Sequence, residues 1–210
     1  MHPDAYAILA GGASAEARIK GSRFLALCAP VVDEAAAHAL RERTAAGHPD
    51  ASHLCWALRL GRPESARALN SDDGEPGGSA GAPIARALES AGVSDALCMV
   101  LRWFGGTKLG VGGLVRAYGG VAREALAAAP RDERLALLLL EGSFDYAHEG
   151  ALRALLAAGE GRVVTQQRDA RVQWRLALPP SALGDFNAKA ADLVRGPSPF
   201  TQLEEDGTSL

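Results

Sequence analysis

The sequence predicts an α+β protein of two domains. Residues 1–130 form a mixed sheet of four strands with helices on one face, and residues 131–210 form a ferredoxin-like βαββαβ domain. Three observations lead there. The chain has 210 residues, 48% hydrophobic and 22% charged, a globular composition long enough for one large or two small domains. A helical pattern stops at Ala127-Ala128-Ala129-Pro130, and Arg131-Asp132-Glu133 then separates it from a new apolar run, as a short linker does. Strands and helices alternate before that point without the repeated βαβ units of a doubly wound fold, and in βαββαβ order after it.

In the first domain, Ser22 to Pro30 reads as a strand and Asp33 to Ala46 as a helix with Asp33 at its N-cap. Ser52 to Leu60 is a strand, and Ser65 to Asn70 is its hairpin partner. After a polar, glycine-rich loop, Ala82 to Ala91 is helical, with Pro83 in its first turn and Gly92 as terminator. Ala96 to Phe104 is apolar on both faces and therefore central. Gly110 to Ala128 carries Leu114, Val115, Tyr118, Val121, Ala122, Ala125 and Leu126 at three-to-four spacing, an amphipathic helix. In the second domain the order is strand Leu135 to Glu141, helix Tyr146 to Ala158, strands Arg162 to Gln167 and Arg171 to Leu178, helix Ser181 to Val194 and strand Pro199 to Leu203. The polar residues Glu204 to Leu210 read as a frayed end.

Composition removes several classes of function. The longest apolar runs, among them Ala96 to Leu101 and Leu135 to Leu140, fall far short of the roughly 20 residues of a membrane-spanning helix. Asp4 stands before the weakly apolar Ala5 to Ala10, where a signal peptide carries Lys or Arg, so the chain reads as cytoplasmic with no membrane partner. Cys28, Cys55 and Cys98 are an odd, scattered set that reads as buried reduced thiols. A net charge of −3 rules out a basic tail as the means of holding nucleic acid and leaves room for a local basic patch.

Two segments hold more glycine and charge than a core needs, and each leads from a strand into a helix. The first contains Asp72, Asp73, Gly74, Glu75, Pro76, Gly78, Ser79 and Gly81. The second runs from Arg102 through Gly105, Gly106, Lys108, Gly110, Gly112 and Gly113 to Arg116, with Arg123 one face-repeat further on. Glycine admits positive φ and close backbone approach, and a helix start offers free N–H groups, so these are either anion sites or tight turns. We expect a cleft between the loops, with Gly105 to Gly113 as the anion site and Asp72 to Gly81 as its wall. Arg102, Lys108, Arg116 and Arg123 form a candidate basic set for phosphates; alternatively Arg116 pairs with the loop carboxylates.

Other chemistries fit less well. Val115 stands where a dinucleotide fingerprint has its third glycine, and Gly106-Thr107-Lys108 reverses the P-loop order. Asp72, Asp73 and Glu75 lack the alternating ligands of a calcium site. His48, His53 and Cys55 give three zinc-type ligands at unstandard spacing with no second pair, and His53 reads as a half-buried surface residue. Ser79 is not in a Gly-x-Ser-x-Gly turn. No metal, cofactor or catalytic residue is therefore assigned, and the reading inclines away from an enzyme.

Both loops resemble those of the IMPACT/YigZ family. Its hallmark is a segment close to Asp-Asp-Gly-Glu-Pro-Ser-Gly-Thr-Ala-Gly-x-Pro, followed by Arg-aromatic-Phe-Gly-Gly running into Lys-Leu-Gly-x-Gly-Gly-Leu-Val-Arg-Ala-Tyr. Asp72 to Pro83 and Arg102 to Tyr118 match almost throughout, as do His48, Ala51, His53 and Cys55 with an earlier His-x-x-Ala-x-His-x-Cys pattern and Ser22-Arg23-Phe24 with its first strand. The departures are Gly77 for serine, Ser79 for threonine and Trp103 for tyrosine. The resemblance implies a first domain like the second domain of a small-subunit ribosomal protein and domain IV of elongation factor G, and a second domain similar to domain V of that factor. That fold suggests contact with RNA or the ribosome by analogy, and with the basic set Arg102, Lys108, Arg116 and Arg123 it leads us to expect a non-enzymatic, translation-associated factor. The alternatives are a protein-binding regulator of a translational stress response, engaged through Asp72, Asp73 and Glu75, and an enzyme with an anion site at the glycine loops.

Overall fold

The structure, a computed structural model, describes residues 2–203, so the expectation for Glu204 to Leu210 lies outside the described residues. Tyr6–Arg134 form one compact unit, and residues 2–5 with 135–203 form the other. The α+β class is as expected. The units part at Arg134 rather than at Pro130, and the first residues of the chain go with the second unit.

The first unit runs, in chain order, through β1 (Ala5–Leu9), β2 (Ala13–Ile19), β3 (Ser22–Pro30), α1 (Glu34–Gly47), β4 (His53–Leu60), β5 (Arg67–Ser71), α2 (Gly81–Ala91), β6 (Val93–Ser94), β7 (Ala96–Trp103), α3 (Val111–Ala128) and β8 (Arg131–Leu135). Its main sheet has the order β2-β3-β7-β4-β5. Every neighbour pair in it is antiparallel. The doubly apolar β7 takes the centre, as its sequence requires. Ala96, Cys98 and Val100 enter the larger core with Phe24, Ile84, Leu88, Tyr118 and Leu126, beneath α2 and α3. Leu97 and Met99 point the other way, to a smaller core with Val31, Ala37 and Leu58 beneath α1. The Asp33 carboxylate accepts from the Ala36 amide at 2.7 Å and starts α1. Gly92, at φ 67°, ends α2.

Four expectations are corrected here. The main sheet has five strands, because β2 adds to its edge; the inner face of β2 is Ala13, Ala15, Ala17 and Ile19, too small a set to stand out as alternation. Helices cover both faces, since α1 lies opposite α2 and α3. The main sheet is antiparallel rather than mixed. The parallel pairing is between β1 and β6, in a separate three-stranded sheet of order β6-β1-β8. Finally, Arg131–Leu135 is a strand and not a linker. Its exposed Arg131, Asp132 and Glu133 contribute backbone pairing and little burial, so its sequence reads as loop.

Asp95 ties this small sheet to the main one. It is 1% exposed, and its carboxylate accepts from the Tyr6 hydroxyl at 2.7 Å, the Gly61 amide at 2.9 Å and Arg134 Nη1 at 2.6 Å. Burial, with Asp95 beside it, pushes the Tyr6 phenol up, so it stays a donor.

The second unit comprises β9 (Leu138–Phe144), α4 (Glu149–Ala158), β10 (Arg162–Arg168), β11 (Val172–Leu178), α5 (Leu183–Val194) and β12 (Phe200–Gln202). The antiparallel order β10-β11-β9-β12 is the ferredoxin-like arrangement, with bounds within three residues of those expected. Leu152 and Leu156 of α4 and Phe186 and Ala190 of α5 pack with Phe144, Trp174 and Phe200. Gly142 makes this cluster possible: a Cβ there would lie 2.4 Å from Phe200 Cδ1 and from the Pro199 carbonyl oxygen. Gly142→Ala is therefore expected to destabilise the second unit by about 1–3 kcal/mol, the usual range for overpacking, read as a lower urea midpoint of its unfolding transition.

Candidate nucleic-acid interface

The loop between β5 and α2 turns Asp72 and Glu75 onto its own backbone and the core. Asp72 accepts from the amides of Gly78 at 2.7 Å and of Ala80 and Gly81 at 2.8 Å, and so caps α2 with its own chain. Burial pushes this carboxyl up, but the three amides outweigh it and hold it below the usual carboxylate range. Asp73 accepts from the Leu54 amide at 2.6 Å, while its carbonyl meets His53 Nδ1 at 2.7 Å. Gly74, at φ 81°, lets the chain turn back toward the core. Gly81 is required by space: a Cβ there would lie 2.8 Å from Asn70 Oδ1 and the Ser71 carbonyl carbon.

Glu75 is the innermost of the three carboxylates, 9% exposed. It accepts from Arg102 Nη1 at 2.5 Å and from the Tyr118 hydroxyl at 2.7 Å, and His53 Nε2 lies 3.9 Å away. The Cys55 thiol donates to the Asp72 carbonyl at 3.0 Å, and burial pushes that thiol up to about 12. Burial likewise raises the Tyr118 phenol. Among the described residues no group of three His, Cys, Asp or Glu could hold a metal ion. His48 instead packs edge-on against Trp103, and Cys55 is committed to Asp72. Ser79 is fully buried, with no hydrogen-bond partner for its hydroxyl among the described residues. Asp73 alone among Asp72, Asp73 and Glu75 is exposed.

The second loop, between β7 and α3, is built differently. The Phe104 amide donates to Ser52 Oγ at 3.1 Å, and the Gly105 amide to Ser22 Oγ at 3.2 Å. A Cβ on Gly105 would lie 1.9 Å from the Gly21 carbonyl carbon, so this glycine is packed against the β2–β3 turn. Gly106 and Gly110 take φ of 84° and 72°. Gly110 is the N-cap of α3 and no side chain caps that helix. Its first turn, Val111 to Gly113, is thus open where the first turn of α2 is closed.

Arg102 does not belong to a surface basic set. It is 4% exposed and paired with Glu75, and it does the work considered for Arg116. The reason is strand parity: position 102 faces the helices with Cys98 and Val100. Lys108, Arg116 and Arg123 are exposed and have no carboxylate within ion-pair distance among the described residues. Arg116 Nη1 lies 3.6 Å from where a Gly112 Cβ would stand, and Arg123 Nη1 3.3 Å from that of Gly119, so both guanidiniums lean back one turn along α3. A shallow depression of about 290 Å³ is lined by Ile19, Lys20, Leu109, Gly113, Arg116 and Ala117. It lies between the β2–β3 turn and α3, not between the two glycine loops as expected. Lys20, at φ 48°, adds a cation that sequence reasoning missed; the Lys20-Gly21 turn pair was its only signal.

This is a two-unit α+β protein whose first unit fastens an acidic loop inward and presents an open, cationic helix start. The chain belongs to the IMPACT family: the Impact N-terminal domain matches residues 20–126, and a domain of unknown function, DUF1949, matches residues 143–196. It is similar to the IMPACT family member YigZ of Escherichia coli, 38% identical over 89% of this chain and 92% of that protein. An IMPACT family member of Thermus thermophilus is 40% identical over 85% of this chain and 96% of its own length. A crystal structure of a hypothetical protein, 35% identical, superposes with a TM-score of 0.71 over 97% of this chain and 99% of that one. The two-domain translational regulator Yih1 overlaps 61% of this chain and 48% of its own at a TM-score of 0.35, which carries nothing over to this fold or function.

Glu75→Ala leaves the Arg102 guanidinium buried without its partner and is expected to cost about 3–5 kcal/mol in chemical unfolding. Asp72→Ala is expected to cost about 0.5–2 kcal/mol at neutral pH. Because the folded state depresses the Asp72 carboxyl, that contribution is present above the ordinary carboxylate range and lost as pH falls through the folded value. Wild type and Asp72→Ala should thus converge in stability under acid, as unfolding curves across pH will show.

Proposed function

We propose that the protein is a cytoplasmic, translation-associated factor that binds structured RNA or the ribosome through Lys20, Lys108, Arg116 and Arg123. The observation that carries this reading is the contrast between the two loops. One is closed on its own carboxylates, and the other presents an uncapped helix start among unpaired cations. Arg116 and Arg123 are seven residues apart on α3 and share a face, suited to phosphates along one backbone. The expected likeness to domains IV and V of elongation factor G supports the same reading as an analogy of fold. The groups suited to acid–base work, Glu75 and Tyr118, are buried and bonded to each other, which favours a binder over an enzyme.

Sedimentation with ribosomes and filter binding of ribosomal RNA across a salt series test it. The logarithm of the affinity should fall linearly with log salt, and each of Lys108→Glu, Arg116→Glu and Arg123→Glu should reduce the slope by about 0.7–0.9 if it removes one phosphate contact. No affinity at low salt, or affinity indifferent to salt, overturns the reading.

A further inference from the structure

Phe104 sits at the head of the second glycine loop with 51% of its surface exposed. Its neighbour Trp103 is occupied: the Arg23 guanidinium stands 4.5 Å over its ring, His48 meets it edge-on and its Nε1 donates to Asp50 at 2.9 Å. Phe104 has one such partner, the buried Arg102 guanidinium 5.4 Å from its ring centroid. The backbone on either side is held by the Ser52 and Ser22 hydroxyls, and Gly105 is wedged against Gly21. The ring is thus backed by a cation, fixed at its root and turned to water. Burying such a ring in a complex forfeits little ordering entropy.

The surroundings decide what would cover it. Exposed Val111 stands at the other end of the loop, and between them lie Gly105, Gly106, Thr107, Lys108, the half-buried Leu109 packed against the core, and Gly110, with Arg116 one turn into α3. One ring and one small aliphatic among glycines and cations are too little apolar surface for the core of a protein interface. They match a flat base next to its phosphates. A duplex keeps its base faces stacked inside, so only an unpaired base can lie on the ring.

We propose that Phe104 is a stacking platform for an unpaired base, with Lys108 and Arg116 holding the adjacent phosphates, so that the partner is a single-stranded end, loop or bulge of RNA. This rests on the RNA-binding reading and narrows it.

The test uses the full chain with a fluorescent oligouridylate of about 12 nucleotides, within the range of single-strand sites, and a blunt RNA duplex of the same length. Wild type should prefer the single strand. Phe104→Ala should weaken single-strand binding about tenfold or more and leave duplex binding unchanged, Phe104→Trp should restore it, and Lys108→Glu should weaken both. An oligonucleotide carrying 2-aminopurine should be quenched on wild type and not on Phe104→Ala. Salt-dependent binding of both RNAs that is indifferent to Phe104 overturns the platform and leaves the phosphate reading standing. No binding of either RNA overturns both. Phe104-dependent binding of a glutamate–tyrosine copolymer in place of RNA overturns both in favour of an acidic protein partner. Thermal unfolding of the variants checks that an exposed ring has been removed without loss of the fold.

Discussion

The first unit is organised around a buried ion pair, Glu75 with Arg102, completed by the Tyr118 hydroxyl. A pair of this kind gains little as a net interaction, because desolvating two charges offsets most of their attraction. Its effect is on geometry. One carboxylate from a loop, one guanidinium from the central strand and one phenol from α3 can be satisfied together in few arrangements. The loop is thereby fixed against both the sheet and the helix. Phe24, edge-on to Tyr118 at 5.2 Å between ring centroids, carries the constraint into the apolar core.

This constraint separates the roles of the two glycine-rich segments, which look alike as sequence. In the first, glycines let the backbone approach itself while Asp72 takes up the amides of Gly78, Ala80 and Gly81 and Glu75 takes up Arg102 and Tyr118. In the second, Gly105 is committed to the β2–β3 turn, whereas Gly110 and Gly112 leave the start of α3 bare. The uncapped start of α3, Lys108 and Arg116 are therefore gathered about one loop.

Much of the architecture was legible because it depends on short-range chemistry. The Asp33 cap, the Gly92 stop, the apolar faces of β7 and the βαββαβ order of the second unit are each written within a few residues. β2 and β8 were not legible, since alanine alternation and a charged edge strand carry too little hydrophobic contrast; β1, the apolar Ala5–Leu9 in the middle of the small sheet, has no polar alternation to mark it. The burial of Arg102 was partly legible. Its parity with Cys98 and Val100 points it at the helices, but only the fold supplies Glu75, 27 positions earlier, to receive it. The side of the sheet taken by α1 was hidden, because that helix offers little besides Ala37 and Leu40 to the core. Lys20 was hidden because a turn lysine carries no periodicity.

The bare start of α3 has an effect at longer range. The chain as a whole carries a net charge of −3, so a polyanion approaching it at random meets repulsion. The uncapped start of α3 and the exposed Lys20, Lys108 and Arg116 add positive charge locally, whereas Asp72 offsets the positive end of α2. For the RNA partner proposed above, such a local charge would select orientation in solution, about a Debye length before any surface touches.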